Sequence, residues 1–254
     1  MSNPYLNNLN RIEFVMTYAC TGNCKHCSEG EHIGKSCHVD GSVGARAVKR
    51  LCEEYKIDSL MTFGGEPLLC FDDVFLIHSA ARDCGILKRQ LITNGYFTND
   101  SVKIHTSAEK LKACGVNMLL LSVDAFHQET IPLEPVTEFA KAIKLSGIPI
   151  KTNPAWLVSR EDTNPYNIRT SEILSVFDEL GIAQGSGNII FPAGNALKYL
   201  REYFEPDKSY INPYDDDPSD LHSISVSPDG SLLGGNIITD DILKILENYI
   251  PTEG

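Results

Sequence analysis

Three cysteines fall within eight consecutive positions, as Cys20-x-x-x-Cys24-x-x-Cys27 inside YACTGNCKHC. A loop this compact lets three thiolates converge on one inorganic centre. A [4Fe–4S] cluster normally takes four thiolates, so a set of three leaves one iron open to a ligand from outside the protein. Zinc is the rival, and a structural zinc site needs a fourth donor. His26 or His32 is close enough in sequence to supply it, so the loop alone leaves both metals open.

Other residues suited to chemistry recur at regular intervals downstream. MTFGGEPLL carries Gly64, Gly65 and Glu66, and glycines there leave main-chain groups uncovered, so that a polar ligand can approach closely. That segment weighs against a purely structural zinc. LITNGYF carries Thr93 and Asn94, LLLSVDAF carries Ser122 and Asp124, and His127 and Glu129 follow at once. Ser and Asp are also the residues that cap helices. Arg160 is a possible bidentate partner for a carboxylate.

These residues need elements to position them. Short β-rich runs at 12–16, 59–63, 89–93, 118–123, 148–153 and 188–191 alternate with amphipathic stretches. Val136, Phe139, Ala140 and Ile143, for example, keep the spacing of one helical face. Gly85, Gly115, Gly147 and Gly181 stand where helical patterns stop. Such alternation predicts an α/β fold of parallel strands with right-handed crossovers, six βα units forming a partial barrel or an open sheet. Ligands in such folds sit beyond the carboxyl ends of the strands, where the cysteine loop and the motifs above fall. Residues 1–204 read as the core. Residues 205–254 read as a linker, with three prolines and the acidic run Asp215, Asp216 and Asp217, followed by a strand at 223–226, a turn at Pro228-Asp229-Gly230 and a last helix over 240–249.

The composition narrows the function. The 254 residues carry 22 basic and 34 acidic side chains, a net charge of −12, which disfavours nucleic acid and anionic lipid as partners. At 42% hydrophobic and 22% charged the chain is globular rather than disordered. No apolar run approaches the roughly 18 residues of a spanning helix, and the opening MSNPYLNNLNR lacks the regions of a signal peptide. The expectation is a cytoplasmic protein. All eight cysteines precede residue 115, and Cys52, Cys84 and Cys114 fall in helical patterns as small apolar groups. Cys37 and Cys70 lie near the expected barrel mouth, where a thiol can donate a hydrogen atom. With His127 and Glu129 they are the weak catalytic candidates, and the catalytic residues are otherwise unassigned.

From Ile12 to about Ala196 the chain resembles the radical S-adenosylmethionine enzymes, whose signature is Cys-x3-Cys-x2-Cys just after the first strand. The resemblance implies a partial (β/α)6 TIM-like barrel with a short C-terminal appendage. It implies one [4Fe–4S] cluster on Cys20, Cys24 and Cys27, with S-adenosylmethionine on the open iron. Reductive cleavage would then give a 5′-deoxyadenosyl radical that abstracts hydrogen from a substrate. His26 occupies the usually aromatic position before the third cysteine. Gly64, Gly65 and Glu66 would receive the methionyl amino group, and Thr93, Asn94, Ser122 and Asp124 would meet the methionyl carboxylate or the ribose hydroxyls. Phe191 and Pro192, in GNIIFPAGNA, would wall the adenine. ISVSPDGSLLGGN resembles the start of the extension in the peptide-modifying branch. No cysteine follows Cys114, so an auxiliary cluster on C-terminal thiolates is excluded by counting. The implied substrate is a ribosomal peptide or a small molecule, with an external electron donor such as flavodoxin or ferredoxin. Two alternatives stand beside this reading. One is a glycyl-radical-enzyme activase, although such activases carry Asp-x-Lys near SVDAF. The other is a non-catalytic zinc or Fe–S binding module.

Overall fold

The computed structural model describes residues 3–31, 36–206, 208–210, 212 and 216–251; His32 and Asp215, named above, lie outside the described residues. In chain order the elements begin with β1 (Arg11–Val15), α1 (Gly41–Leu51), β2 (Ser59–Phe63), α2 (Phe71–Asp83), β3 (Lys88–Thr93) and α3 (Ser101–Cys114). They continue with β4 (Met118–Leu121), α4 (Ala125–Gln128), α5 (Leu133–Leu145), β5 (Ile150–Thr152), β6 (Ala155–Trp156), α6 (Pro165–Glu179) and β7 (Ala183–Gln184). The last are β8 (Asn188–Ile189), α7 (Gly194–Tyr199), β9 (Ser223–Val226), β10 (Ser231–Leu232), β11 (Gly235–Asn236) and α8 (Ile242–Glu247).

Seven strands form one parallel sheet in the order β7-β5-β4-β3-β2-β1-β9, an open α/β arrangement of the partial-barrel type. Strand periodicity divides its two faces. Ile12, Phe14, Leu60, Leu91, Leu119 and Leu121 are fully buried on one face. Their neighbours Arg11, Glu13, Gln90, Ile92, Met118 and Leu120 are only half-buried on the other. The sheet therefore keeps one dry face and one face open for a ligand.

The structure differs from the sequence expectation at two strands. Residues 188–191 do not supply the sixth strand of the sheet; β7 does, and β8 pairs with β6 in a separate two-stranded ladder. Pro154 has no N–H to continue the β5 ladder, and Gly187, at φ +69°, passes so close that a Cβ would stand 2.0 Å from the Pro154 carbonyl oxygen. The chain steps sideways there. The C-terminal segment, expected as an appendage, instead supplies β9 to the sheet edge, with Arg11 opposite Ser223 and Phe14 opposite Val226. Being parallel to β1, β9 delivers the Ser227–Gly230 turn to the same end of the sheet as the cysteine loop. The turn closes as expected, with the Gly230 N–H donating to the Ser227 carbonyl at 2.9 Å. The helices that were expected to end at Gly85, Gly115, Gly147 and Gly181 do so, each glycine at positive φ.

Inside the helix layer His78 of α2 is fully buried, its Nε2 2.9 Å from Thr62 Oγ1 of β2, and its Nδ1 has no partner. Burial lowers its pKa to about 3, with Arg89 adding to the effect, so the folded protein holds it neutral. Unfolding exposes the ring to water, where it titrates near 6.5. The unfolded chain thus binds the extra proton first, and stability falls as pH drops from about 6.5 toward 3, by up to about 1.4 kcal/mol per pH unit. Urea unfolding midpoints across this range should show that slope in the parent and lose one proton's worth of it in His78→Gln. Equal slopes would refute the assignment.

Candidate active site

The cysteine loop leaves β1 at its carboxyl end and is braced by every neighbouring strand end. Gly65 N–H donates to the Thr17 carbonyl at 2.7 Å, and Glu66 N–H donates to the Ala19 carbonyl at 2.8 Å. This approach requires glycine, since a Cβ on Gly65 would lie 2.1 Å from the Ala19 carbonyl oxygen. From the β4 side, Asn23 N–H donates to Thr130 Oγ1 at 3.0 Å, and Lys25 pairs with Glu129 at 3.0 Å. From beyond β8, the buried Asn195 donates its Nδ2 to the Cys24 carbonyl at 3.1 Å and its backbone N–H to the Cys27 carbonyl at 2.8 Å. Gly194, at φ +50°, permits that docking, since a Cβ would meet the Cys27 and Ser28 carbonyl oxygens at 2.5 and 2.3 Å. Asn195 went unread in the sequence; its only signal there is its place after Pro-Ala-Gly in an otherwise apolar segment.

The three thiols of the loop share one electrostatic environment. Burial pushes the Cys20 thiol up to about 11, with Glu66 and Cys27 adding to it. Burial also raises Cys24, reinforced by Asp124, Cys20 and Cys27. Asn94 Nδ2 at 3.5 Å and Gly22 N–H at 3.4 Å both donate to Cys20 Sγ. Thiols so placed ionise only when a cation compensates them, because a bound metal deprotonates its thiol ligands outright. Three thiols and N–H donors to sulfur are the donor set of an iron–sulfur site with one open iron. A ring nitrogen from each of His26 and His127 also lies within 4.8 Å of Cys24 Sγ and of the other, so that of the expected zinc donors His26 is beside Cys24. The His127 Nδ1 pairs with Asp124 Oδ2 at 2.8 Å, which leaves its Nε2 unengaged by that contact.

His26 is half-buried and kept neutral, desolvation lowering its pKa to about 4. Its ring centroid is 5.0 Å from that of Phe126 and 4.8 Å from that of His127, and its Nδ1 is a buried polar atom without a partner. Ser122 is half-buried at the end of β4, and among the described residues its hydroxyl has no partner. No hydrogen-bond donor among the described residues reaches the Gly64 or Gly65 carbonyl. These are among the free polar groups of the described residues. Phe191 and Pro192 are half-buried just before the Asn195 contact.

Four residues expected as ligands are instead engaged by the protein. Glu66 is fully buried and accepts from Thr93 Oγ1 at 2.7 Å, Leu68 N–H at 2.9 Å and Asn94 N–H at 2.9 Å. Burial raises its carboxyl to about 7 against those donors. Its side chain ties the end of β2 to that of β3. Thr93 is spent on Glu66 and on the Gly95 N–H at 2.9 Å. Asn94 faces Cys20 and Thr21. Asp124, fully buried, accepts from the Phe126, His127 and Ala155 N–H groups and from His127 Nδ1. Burial alone would raise its pKa, but His127 beside it holds the carboxyl well below the usual range. With about four lone-pair sites on a carboxylate, Asp124 has none left for a ribose. It caps α4, and it anchors β6.

The catalytic candidates separate in space. His127 is held against Asp124 beside His26, whereas Glu129 is exposed and paired with Lys25. Cys37 is exposed, with its Sγ 3.4 Å from the Pro228 carbonyl oxygen, and Cys70 precedes α2 without a side-chain capping bond. Arg160 lies 5.7 Å from the centroid of the Trp156 ring. Among the described residues no helix is long and apolar enough to cross a membrane.

A family model for the radical SAM superfamily matches residues 14–158, more than half of the chain, from the last residues of β1 to just past β6. The chain is 28% identical over 159 residues to a GTP 3′,8-cyclase from Peptoclostridium acidaminophilum, covering 59% of this chain and 47% of that protein. It thus spans about half the length of that curated relative. In fold it is similar to anSMEcpe with bound AdoMet, at TM-score 0.61 and 14% identity over 95% of this chain and 80% of that one. It is equally similar to SuiB from Streptococcus suis bound to the precursor peptide SuiA, at TM-score 0.61 and 11% identity over 94% and 65%. With the Cys-x3-Cys-x2-Cys loop at the carboxyl end of the first strand of a parallel α/β sheet, the chain belongs to the radical SAM superfamily of enzymes, whose cofactors are a [4Fe–4S] cluster and S-adenosylmethionine.

Proposed function

We propose that Cys20, Cys24 and Cys27 hold one [4Fe–4S] cluster, that S-adenosylmethionine completes its open iron, and that the enzyme abstracts hydrogen from a ribosomally made peptide. The observation that carries this reading is three buried or half-buried thiols on one loop, near enough to raise one another's pKa, beside uncovered glycine carbonyls. When bound, the cluster and S-adenosylmethionine together supply one-electron cleavage of the sulfonium and a carbon radical able to take hydrogen from an unactivated C–H bond. The chain's residues do the rest. N–H groups of Asn94 and Gly22 stabilise the charge on the Cys20 sulfur. The carbonyls of Gly64 and Gly65 accept from the methionyl ammonium, the Ser122 hydroxyl meets a ribose hydroxyl, and Phe191 with Pro192 flanks the adenine. The half-buried sheet face leaves room for substrate, and the Ser227–Gly230 turn borders the mouth beside Cys37. A peptide substrate is favoured by the likeness in fold to SuiB, whose precursor peptide was bound. An external one-electron donor of the flavodoxin or ferredoxin kind is required.

Anaerobic reconstitution should give about four irons and four sulfides per chain, and a strong reductant should yield 5′-deoxyadenosine. A single tightly held zinc in place of iron would overturn the reading. Candidate peptides encoded beside the gene should gain a mass change or deuterium exchange with the loaded enzyme, and a panel left unmodified would overturn the peptide assignment alone. Loss of the Ser122 hydroxyl in Ser122→Ala removes one neutral hydrogen bond, so the Kd for S-adenosylmethionine should rise roughly 2- to 12-fold. Iron content should stay constant. An unchanged Kd by calorimetry would remove Ser122 from the site.

A further inference from the structure

We infer that Cys70, His38 and Asp73 form a second, zinc-type metal site at the rim of the sheet, distinct from the cysteine loop. It stands independently of the proposed reaction. Cys70 Sγ, a His38 ring nitrogen and an Asp73 carboxylate oxygen all lie within 4.8 Å of one another. His38 Nε2 and Asp73 Oδ2 are 3.4 Å apart. Nitrogen and oxygen ligands at about 2.0–2.1 Å from a tetrahedral zinc stand about 3.3 Å from each other, so this pair already has the separation the ion demands. A Cys–His–Asp proton relay would place thiol and carboxylate on opposite nitrogens of the ring and so far from each other. Here thiol and carboxylate instead lie within 4.8 Å of each other and of one ring nitrogen.

The supporting structure fixes them in place. Asp73 turns Oδ1 to the Gly41 N–H at 2.8 Å, which leaves Oδ2 toward His38. This is the outer hydrogen bond that orients metal-binding carboxylates. Residue 41 must be glycine for it, because a Cβ there would stand 2.4 Å from Asp73 Cα. The segment bearing His38 is pinned to the end of β1 by the bridge between Thr17 and His38. Cys70 stands at the start of α2 but makes no side-chain capping bond, so its sulfur is not engaged there. One thiolate, one imidazole and one carboxylate suit zinc or a similarly borderline ion. His38 is half exposed, at 48% of its side chain, so the fourth position faces solvent and a substrate amine, thiol or carboxylate can enter it.

The test uses enzyme already loaded with its cluster, so that the thiols of the cysteine loop are taken, and zinc alone as probe. Elemental analysis after gel filtration should find one zinc per chain beyond the cluster iron, and zinc should slow alkylation of Cys70 as followed by peptide mass spectrometry. Asp73→Asn, Cys70→Ala and the surface change His38→Gln should each weaken zinc binding by more than the roughly 10- to 100-fold typical of losing an outer-shell partner. Iron content should not change. Zinc retained in all three variants, Cys70 alkylation indifferent to zinc, or no zinc bound by the loaded parent enzyme would each overturn the assignment.

Discussion

Cys24→Ala should reduce the iron of reconstituted protein from about four atoms to less than one per chain and abolish 5′-deoxyadenosine formation, while the protein stays folded. Cys24 is the most enclosed of the three thiols, 6% exposed, and its side chain borders a small apolar cluster with Phe126, Leu157 and Ala196. Loss of one sulfur atom there costs about 1 kcal/mol of packing, little beside the stability of a domain this size. The effect on metal is of another order, because a cluster left with two protein ligands has no stable seat. Cys114→Ala is the matched control. Cys114 is fully buried and donates to the Leu111 carbonyl at 3.2 Å, far along the chain from the loop, so its loss should cost packing and no iron. Iron retained in Cys24→Ala, or lost in Cys114→Ala, would defeat the assignment of the cluster ligands.

Gly65→Ala should be nearly as damaging although it removes no ligand. The new Cβ would lie 2.1 Å from the Ala19 carbonyl oxygen, 2.7 Å from the Ala19 carbonyl carbon and 3.0 Å from the Tyr18 carbonyl carbon. All three are main-chain atoms, so no rotamer change relieves the clash. The cysteine loop must move away and give up the Gly65–Thr17 and Glu66–Ala19 hydrogen bonds. Overpacking of this kind with lost buried hydrogen bonds costs about 3 kcal/mol or more, which lowers Tm by roughly 10 °C in a chain of this length. Iron incorporation should fall with it. Gly85→Ala separates sterics from backbone conformation. Gly85 has φ +77° and nothing within 4 Å of a Cβ, so alanine there pays only about 1–2 kcal/mol for the left-handed backbone and keeps its iron. Equal melting temperatures and iron content for Gly65→Ala and the parent would show that the glycine motif does not position the loop.

The parts of the fold legible in the sequence were those set by local pattern. β2 and β9 fall at the expected 59–63 and 223–226, because a short apolar run (β2, buried almost throughout) and an alternating one (β9) each specify a strand without reference to the rest of the chain. β8 failed that test: Ile189 and Ile190 read as core strand, yet Pro154 and Gly187 divert the chain into a separate ladder. The place of β9 beside β1 was likewise out of reach, since strands more than 200 residues apart carry no local sign of their pairing.

The site divides in the same way. By itself the sequence determined the family, through three cysteines at fixed spacing and a glycine pair one strand later, because covalent spacing confines those thiols wherever the loop lies. Only the tertiary structure decided which polar side chains remain free. Glu66, Thr93 and Asp124 look like ligands in one dimension, but in three they are consumed by the N–H and O–H groups of neighbouring strand ends. Asn195 reaches the loop from 171 residues away, and Cys70 meets His38 and Asp73 where α1 and α2 begin. A hydrogen-bonding group acts on whatever lies within about 3 Å of it, and residue type cannot say what that neighbour will be.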